Sequence, residues 1–316
     1  MVDVWAASEP SAGFLQFLLL GLVIGSLYAL IALGYTMVYG IIELINFAHG
    51  DLFMLGSFVA LGVAIWPMGV TSADAPTGAI VATVAVMLLV TPLFCALLNV
   101  TVDRVVYRPL RQSPKLTVIV SAIGVSFIFM NIGLLWRGAT PVKFPDLISD
   151  ANLLEGTGLR FTWEDLLVVA VTVPTMIALT VFVRYTTLGK AMRATAQNPV
   201  AAQLMGINVH RVIAVTFALG GALAGVASVI YGLYIKAVDY QMGFQNGLYA
   251  FTAAVLGGVG NIPGAVLGGL LIGVVGELSK AYLGAKWSEA VIFGILIVVL
   301  LFRPTGLLGA RTREKV

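Results

Sequence analysis

Cysteine, histidine and charge are all scarce in this chain, and each scarcity closes off a class of function. The single cysteine, Cys95, lies inside an apolar run and reads as a packing residue, so no disulfide framework or cysteine metal site can form within the chain. With His49 and His210 the only histidines, zinc clusters and most histidine-based catalytic sets are excluded on residue count. An intramembrane enzyme would have no adequate catalytic set. Charged residues make up 10% of the chain and the net charge is +3, too little for a nucleic-acid partner. The phosphate-binding loop is missing as well. The one Gly-Lys pair, Gly189-Lys190, is followed by Ala191 and lacks the upstream glycine, so any ATP hydrolysis must come from another subunit.

What fills the chain instead is oil. Of 316 residues, 59% are hydrophobic, and the mean hydropathy is +1.01. The run from Leu15 to Met37 holds no charge and is long enough to cross a hydrocarbon layer of roughly 30 Å. Continuous apolar runs, rather than alternation, predict an all-α polytopic helical bundle and exclude an outer-membrane barrel. Spans are expected near 15–37, 47–66, 79–100, 117–136, 164–184, 211–235, 244–259, 264–283 and 287–302, in one transmembrane domain covering 1–316. Residues 1–12 carry Asp3 and Glu9 without a basic leader, so the first helix is expected to be retained.

Orientation follows from the loops. Arg104, Arg108, Arg111, Lys115, Arg184, Lys190, Arg193, Arg211, Arg303, Arg311, Arg313 and Lys315 fall on alternate gaps and face only Asp103 and Glu314. The opposite gaps are acidic, which predicts an outside N-terminus and an inside tail. Lys280 and Lys286 run against this pattern, balanced by Glu277 and Glu289. The short seventh run leaves two counts open: nine spans with the tail inside, or eight if 244–259 only dips into the membrane.

The inside stretch 184–211 is too long for a plain connector. Asn198 can cap a helix, Pro199 suits its first position, and Gly206 suits the left-handed residue after its end. The result is a helix of about two turns, roughly 10 Å long, which needs something to pack on it. Ala201 and Ala202 permit close approach, Leu204 and Met205 supply apolar contact, and Lys190 and Arg193 give orientation. The helix either docks into a groove on a cytoplasmic protein or lies on anionic lipid.

Four passages resemble the permease subunits of branched-chain amino acid ABC importers. They are GSLYALIALGYTMVYGIIELINFAHGDLFMLGSF from Gly25 to Phe58, VYRPLR from Val106 to Arg111, GKAMRATAQNPVAAQLMGI from Gly189 to Ile207, and AAVLGGVGNIPGAVLGGLLIG from Ala253 to Gly273. The third is similar to the loop that contacts the ATPase in such permeases. Its Ala201, Ala202 and Gly206 fit the pattern Glu-Ala-Ala, three residues, Gly, with Val200 at the acidic position. The resemblance implies a bacterial inner-membrane subunit that works with a second homologous permease, two cytoplasmic ATPases carrying ATP and Mg, and a periplasmic amino-acid-binding protein, with membrane lipid around it. No cofactor is expected in this chain. The cargo implied is leucine, isoleucine and valine or other neutral amino acids, with urea and short amides as the alternative.

Two polar places in the spans are candidates for the pathway. Asn46, His49 and Asp51 stand where an ionisable group costs about 2.5 to 3.5 kcal/mol, which directs it toward a bundle interior or cavity. Asn46 could instead cap the second helix, with Asp51 in reach of its dipole. In an ion-coupled secondary transporter His49 and Asp51 would carry a proton, but that class calls for inverted repeats and no convincing pair is present. The second place is the break at Gly257, Gly258, Gly260, Asn261 and Pro263, which either presents a helix end to a substrate carboxylate or packs tightly. Glycine pairs at four-residue spacing, Gly21 with Gly25, Gly221 with Gly225, Gly264 with Gly268 and Gly269 with Gly273, read as helix contacts. Tyr28, Tyr35 and Tyr39 read as packing or interface anchors.

Overall fold

Long apolar runs without ladder partners can satisfy their backbone in lipid only as helices, and the computed structural model is built from them. It describes residues 10–42, 46–111 and 113–309. Asp3 and Glu9, and the tail residues Arg311, Arg313, Glu314 and Lys315, lie outside the described residues.

The elements run α1 Pro10–Ile42, α2 Ala48–Ile65, α3 Thr77–Val102, a π-helical turn Asp103–Tyr107, α4 Arg108–Leu110, α5 Lys115–Arg137 and β1 Val142–Lys143. They continue with α6 Trp163–Tyr185, α7 Thr187–Gln197, α8 Pro199–Leu204, α9 Val209–Ile235, β2 Ala237–Val238, α10 Met242–Gly257, α11 Ile262–Tyr282 and α12 Ser288–Phe302. Among the described residues, eight helical stretches are long and apolar enough to cross a membrane. The ninth expected span is α10, whose 16 residues rise only about 24 Å.

Glycine contacts fix the relative directions of α1, α10 and α11. Gly21 lies against Val274, Gly25 against Leu270 and Gly40 against Gly260, so α1 and α11 are antiparallel. Gly268 lies on Ala253 and Gly264 on Gly257, so α10 and α11 form an antiparallel hairpin. The tail then hydrogen-bonds to the turn of that hairpin, through Leu307 N–H to Leu256 O and Leu308 N–H to Gly257 O. The start of α1 and the segment after α12 therefore stand at opposite ends of the bundle. Short as it is, α10 starts beside Gly50 and Asp51, and together with the segment that leads down from β2 it carries the chain from the outer end to the inner end, which agrees with the nine-span arrangement and its basic inner end.

The inner end gathers Arg104 and Arg108 from the segment between α3 and α5, Arg184 from the end of α6, Lys190 and Arg193 from α7, and Arg211 from the start of α9. At the outer end, β1 pairs antiparallel with β2, Val142 opposite Val238. Phe144 is buried beneath this pair against Gly232. Lys236 adopts the left-handed conformation and bridges Asp146 at 2.8 Å and Glu164 at 2.7 Å, tying the outer loop to α6. Desolvation works against its ammonium, and the two carboxylates outweigh it, so its pKa stands above the ordinary lysine value. Lys280, one of the basic residues against the charge pattern, is neutralised by Glu277 at 2.6 Å. Trp66, Trp136, Trp163 and Trp287 also sit at this end, each at a helix terminus and exposed, forming an interfacial aromatic belt.

The core lies where α1, α2, α9, α10 and α11 meet, with Leu30, Ile31, Phe53, Phe58 and Phe217 almost wholly buried. By contrast α3, α5, α6 and α12 bury only a minor share of their apolar windows and hold the periphery. Leu89, Leu93 and Leu97, four residues apart, make an exposed stripe on α3 of the kind that meets lipid tails.

Candidate functional site

At the inner end the stretch between α6 and α9 folds into two helices at a corner, rather than one. Thr186 caps α7 by accepting the Gly189 N–H at 3.0 Å. Gly189 is wedged so tightly that a Cβ there would lie 2.3 Å from the Val183 carbonyl oxygen. The Arg193 guanidinium donates to that same Val183 carbonyl, a favourable partner at the C-terminal end of α6. Arg193 thus anchors α7 to the bundle, while Lys190 is exposed. The cap at Thr186 was the available signal for α7.

Asn198 caps α8 as the spacing predicts, its Oδ1 accepting the Ala201 N–H at 3.0 Å, with Pro199 in the first position. Gly206 closes the helix at a φ of 83°. The two alanines part company: Ala201 is exposed, but Ala202 is buried against the bundle, so it seats α8 rather than forming its outer surface. Outward stand Val200, Leu204 and Met205, exposed by 66, 84 and 82%. Two large apolar side chains on a six-residue helix held at its back by Ala202, with Met205 just past its end, form a surface patch in want of a cover.

From α8 a polar chain leads inward. His210, in the first turn of α9, lies 3.0 Å from the Arg111 guanidinium. Because arginine only donates, His210 Nδ1 is the acceptor at this contact. Arg111 also holds the buried Asp103 at 2.5 Å, the first residue of the π-helical turn. That turn forms where Pro109, which has no N–H, would crowd the Val105 carbonyl in a regular helix; Arg108 N–H reaches back to Asp103 O instead. Tyr107, the last residue of the turn, donates to Asn46 Oδ1 at 2.7 Å. Asn46 donates to Asn99 Oδ1 at 3.3 Å, and Asn99 donates to Phe217 O at 2.7 Å. This corrects the capping reading of Asn46. The cap position of α2 is Phe47, which makes no side-chain cap bond, and the Asn46 side chain instead ties α3 and the π turn to the start of α2.

That start lies well inside the bundle. Asp51 accepts from Ser126 at the middle of α5, and Gly34, against which His49 packs, also meets Gly220 of α9. His49 and Asp51 are buried, and neither ring nitrogen of His49 nor Oδ1 of Asp51 has a partner among the described residues. Such groups ordinarily cost about 1 to 3 kcal/mol each when left unmade. A ring of small residues admits them: a Cβ on Gly34 would stand 2.3 Å from His49 Nε2, and one on Gly243 would stand 2.7 Å from Asp51 Oδ1. Tyr35 packs edge-on to His49 at 4.7 Å between ring centres, a packing role as expected. Asn46, His49 and Asp51 therefore occupy the bundle interior.

Gly257, Gly258 and Asn261 belong elsewhere. Asn261 caps α11 through Gly264 N–H at 3.0 Å and gives its amide to Leu308 O at 2.7 Å, while Gly258 abuts Gly309. Their break lies at the inner end, beside Gly40 near the close of α1, and the tail seals it. Of the two readings of this break, the contacts match tight packing.

A model of the family described as branched-chain amino acid transport system / permease component matches residues 17–300. The chain belongs to that family. LivH of Escherichia coli K12, a high-affinity branched-chain amino acid transport system permease protein, is 42% identical over 319 residues, covering 98% of this chain and all of LivH. BraD of Pseudomonas aeruginosa, of the same description, is 43% identical over 307 residues, covering 96% and 98% of the two chains. A probable branched-chain permease from Methanocaldococcus jannaschii is 29% identical over 299 residues, covering 91% and 90%. No solved structure matches the chain significantly. With its apolar spans, the permease is a multi-pass protein of the bacterial inner membrane.

Proposed function

We propose that this permease is one membrane subunit of an ATP-driven importer that moves leucine, isoleucine and valine into the cytoplasm. It pairs with a second, homologous permease and with two cytoplasmic ATPases that bind ATP and Mg, and it receives its cargo from a periplasmic amino-acid-binding protein. The observation that carries the reading is the uncovered apolar face of α8, Val200 with Leu204 and Met205, on a helix anchored through α7 to α6 and through Ala202 to the core. Identity of 42 to 43% along nearly the full length of LivH and BraD supports the cargo.

In this mechanism the ATPases close on ATP and move α8, which is joined to α9 by four residues. The shift passes from His210 and Arg111 to the π turn, and from Tyr107 and Asn46 to the start of α2. The His49 ring and Asp51 Oδ1, without partners among the described residues, gain water or cargo as partners when α2 and α10 separate. Uptake into vesicles reconstituted with all subunits is expected to require ATP and the binding protein and to be indifferent to a proton gradient. Uptake by this chain alone, or uptake driven by protons, would contradict the reading.

His49→Ala tests the buried centre. Removing an unpartnered ring relieves a desolvation cost, so membrane insertion should persist. Loss of a hydrogen bond made only in the open state should slow uptake about tenfold. Unchanged uptake at normal expression would remove His49 from the pathway.

A further inference from the structure

Two adjoining cavities, of about 570 and about 440 Å³, form one groove between α1, α6 and α11 that runs inward from the outer rim of the bundle. They share Leu19, Val23 and Phe161. Along α1 the groove runs from Gly13 to Ser26, a rise of about 20 Å, which matches one leaflet with its headgroup layer. Its deep part is apolar, lined by Val169, Val173, Met176 and Leu270 among others.

Its mouth is polar. The main chain of Arg160 is clamped by Gln16, which accepts from Arg160 N–H at 2.7 Å and donates to Arg160 O at 3.0 Å. The exposed Arg160 guanidinium meets no carboxylate among the described residues. Glu164 and Asp165 line the same mouth, Glu164 bridged by Lys236 at 2.7 Å and Asp165 accepting from Thr162 N–H at 2.7 Å and from the Tyr234 hydroxyl at 3.0 Å. Exposed Trp163, beside it in sequence, marks the headgroup level.

We propose that this groove holds one zwitterionic phospholipid of the outer leaflet, an acyl chain between α1, α6 and α11, its phosphate on Arg160 and its ammonium toward Glu164 and Asp165. A one-leaflet depth, an apolar floor and a mouth carrying both signs of charge fit that amphiphile from end to end. An anionic headgroup would meet the same arginine but would also lie against two carboxylates, of which only Glu164 already has a cation on it, Lys236. The site depends on the membrane placement of the chain and not on the importer reading, and its test uses neither ATP nor cargo.

The test is native mass spectrometry of the purified transport complex, after exchange into detergent with added phosphatidylethanolamine or phosphatidylglycerol. Wild type is expected to retain one phosphatidylethanolamine in preference to phosphatidylglycerol. Arg160→Gln should retain about tenfold less, from loss of one charged hydrogen bond. Leu19→Trp, which fills the groove, should lose the lipid while the complex stays monodisperse. Equal retention by wild type and both variants, or a preference for phosphatidylglycerol, would overturn the proposal. So would photo-cross-linking from a benzophenone amino acid placed at Val173 to the second permease, since a protein would then cover the groove.

Discussion

Replacing Leu204 with Glu is expected to abolish ATP-driven uptake while leaving the permease folded in the membrane. Leu204 is 84% exposed, and substitutions at such positions change stability by no more than about 0.5 kcal/mol. Buried against a partner, the same side chain becomes an anchor. Loss of one anchor at an interface weakens binding by about 2 kcal/mol or more, roughly thirtyfold, and a carboxylate forced into an apolar groove adds a desolvation cost. The measurement is the yield of ATPase that copurifies with the tagged permease, read beside uptake. Wild-type copurification by the Glu variant would mean that α8 is not where the ATPase sits. Leu204→Met, which keeps the apolar contact, should preserve both.

The second large effect is expected at Gly257, and it concerns assembly. A Cβ at Gly257 would stand 1.8 Å from the Gly264 carbonyl oxygen and 2.2 Å from its carbon. Both neighbours are backbone, so no side chain can turn aside. Gly257→Ala must therefore spread the α10–α11 hairpin and strip the tail's hydrogen bonds from Leu256 and Gly257. The strain exceeds the about 1 to 3 kcal/mol typical of overpacking, and the variant should fail to give a monodisperse peak in detergent. Gly294, in the middle of α12, has nothing within 4 Å of its would-be Cβ. Gly294→Ala should leave that peak intact or raise its thermal stability, by up to about 1 kcal/mol of helix propensity. A Gly257→Ala protein as stable as wild type would show that the hairpin is looser than its contacts indicate.

The membrane architecture was legible in sequence because it depends on local apolar length. The runs 117–136 and 164–184 became α5 and α6 with ends moved by only one or two residues. The helix in the 184–211 stretch was legible for a related reason: Asn198, Pro199 and Gly206 are local punctuation and act within a turn or two. The glycine pairs also landed at helix contacts, as Gly221 on Cys95 and Gly225 on Pro92 show. The polar network was not legible. Asn46 finds Asn99 across 53 positions, and Asn99 finds Phe217 across 118. No periodicity encodes such a partner, so a cap was the nearest reading a local rule could give. The same limit hid the outward face of α8. Composition alone could not tell that Ala202 turns inward while Ala201 does not, because that depends on how α7 is pinned to α6.

The tryptophans carry one further consequence. All four in the described part of the chain stand at the outer rim of the bundle, and none lies near α8 or the π turn. Ultraviolet emission from this region therefore reports one side of the bilayer only. A quencher attached to outer-leaflet lipid tails would dim it, and the same quencher confined to the cytoplasmic leaflet would leave it bright, so the unlabelled protein can report its own orientation in a vesicle.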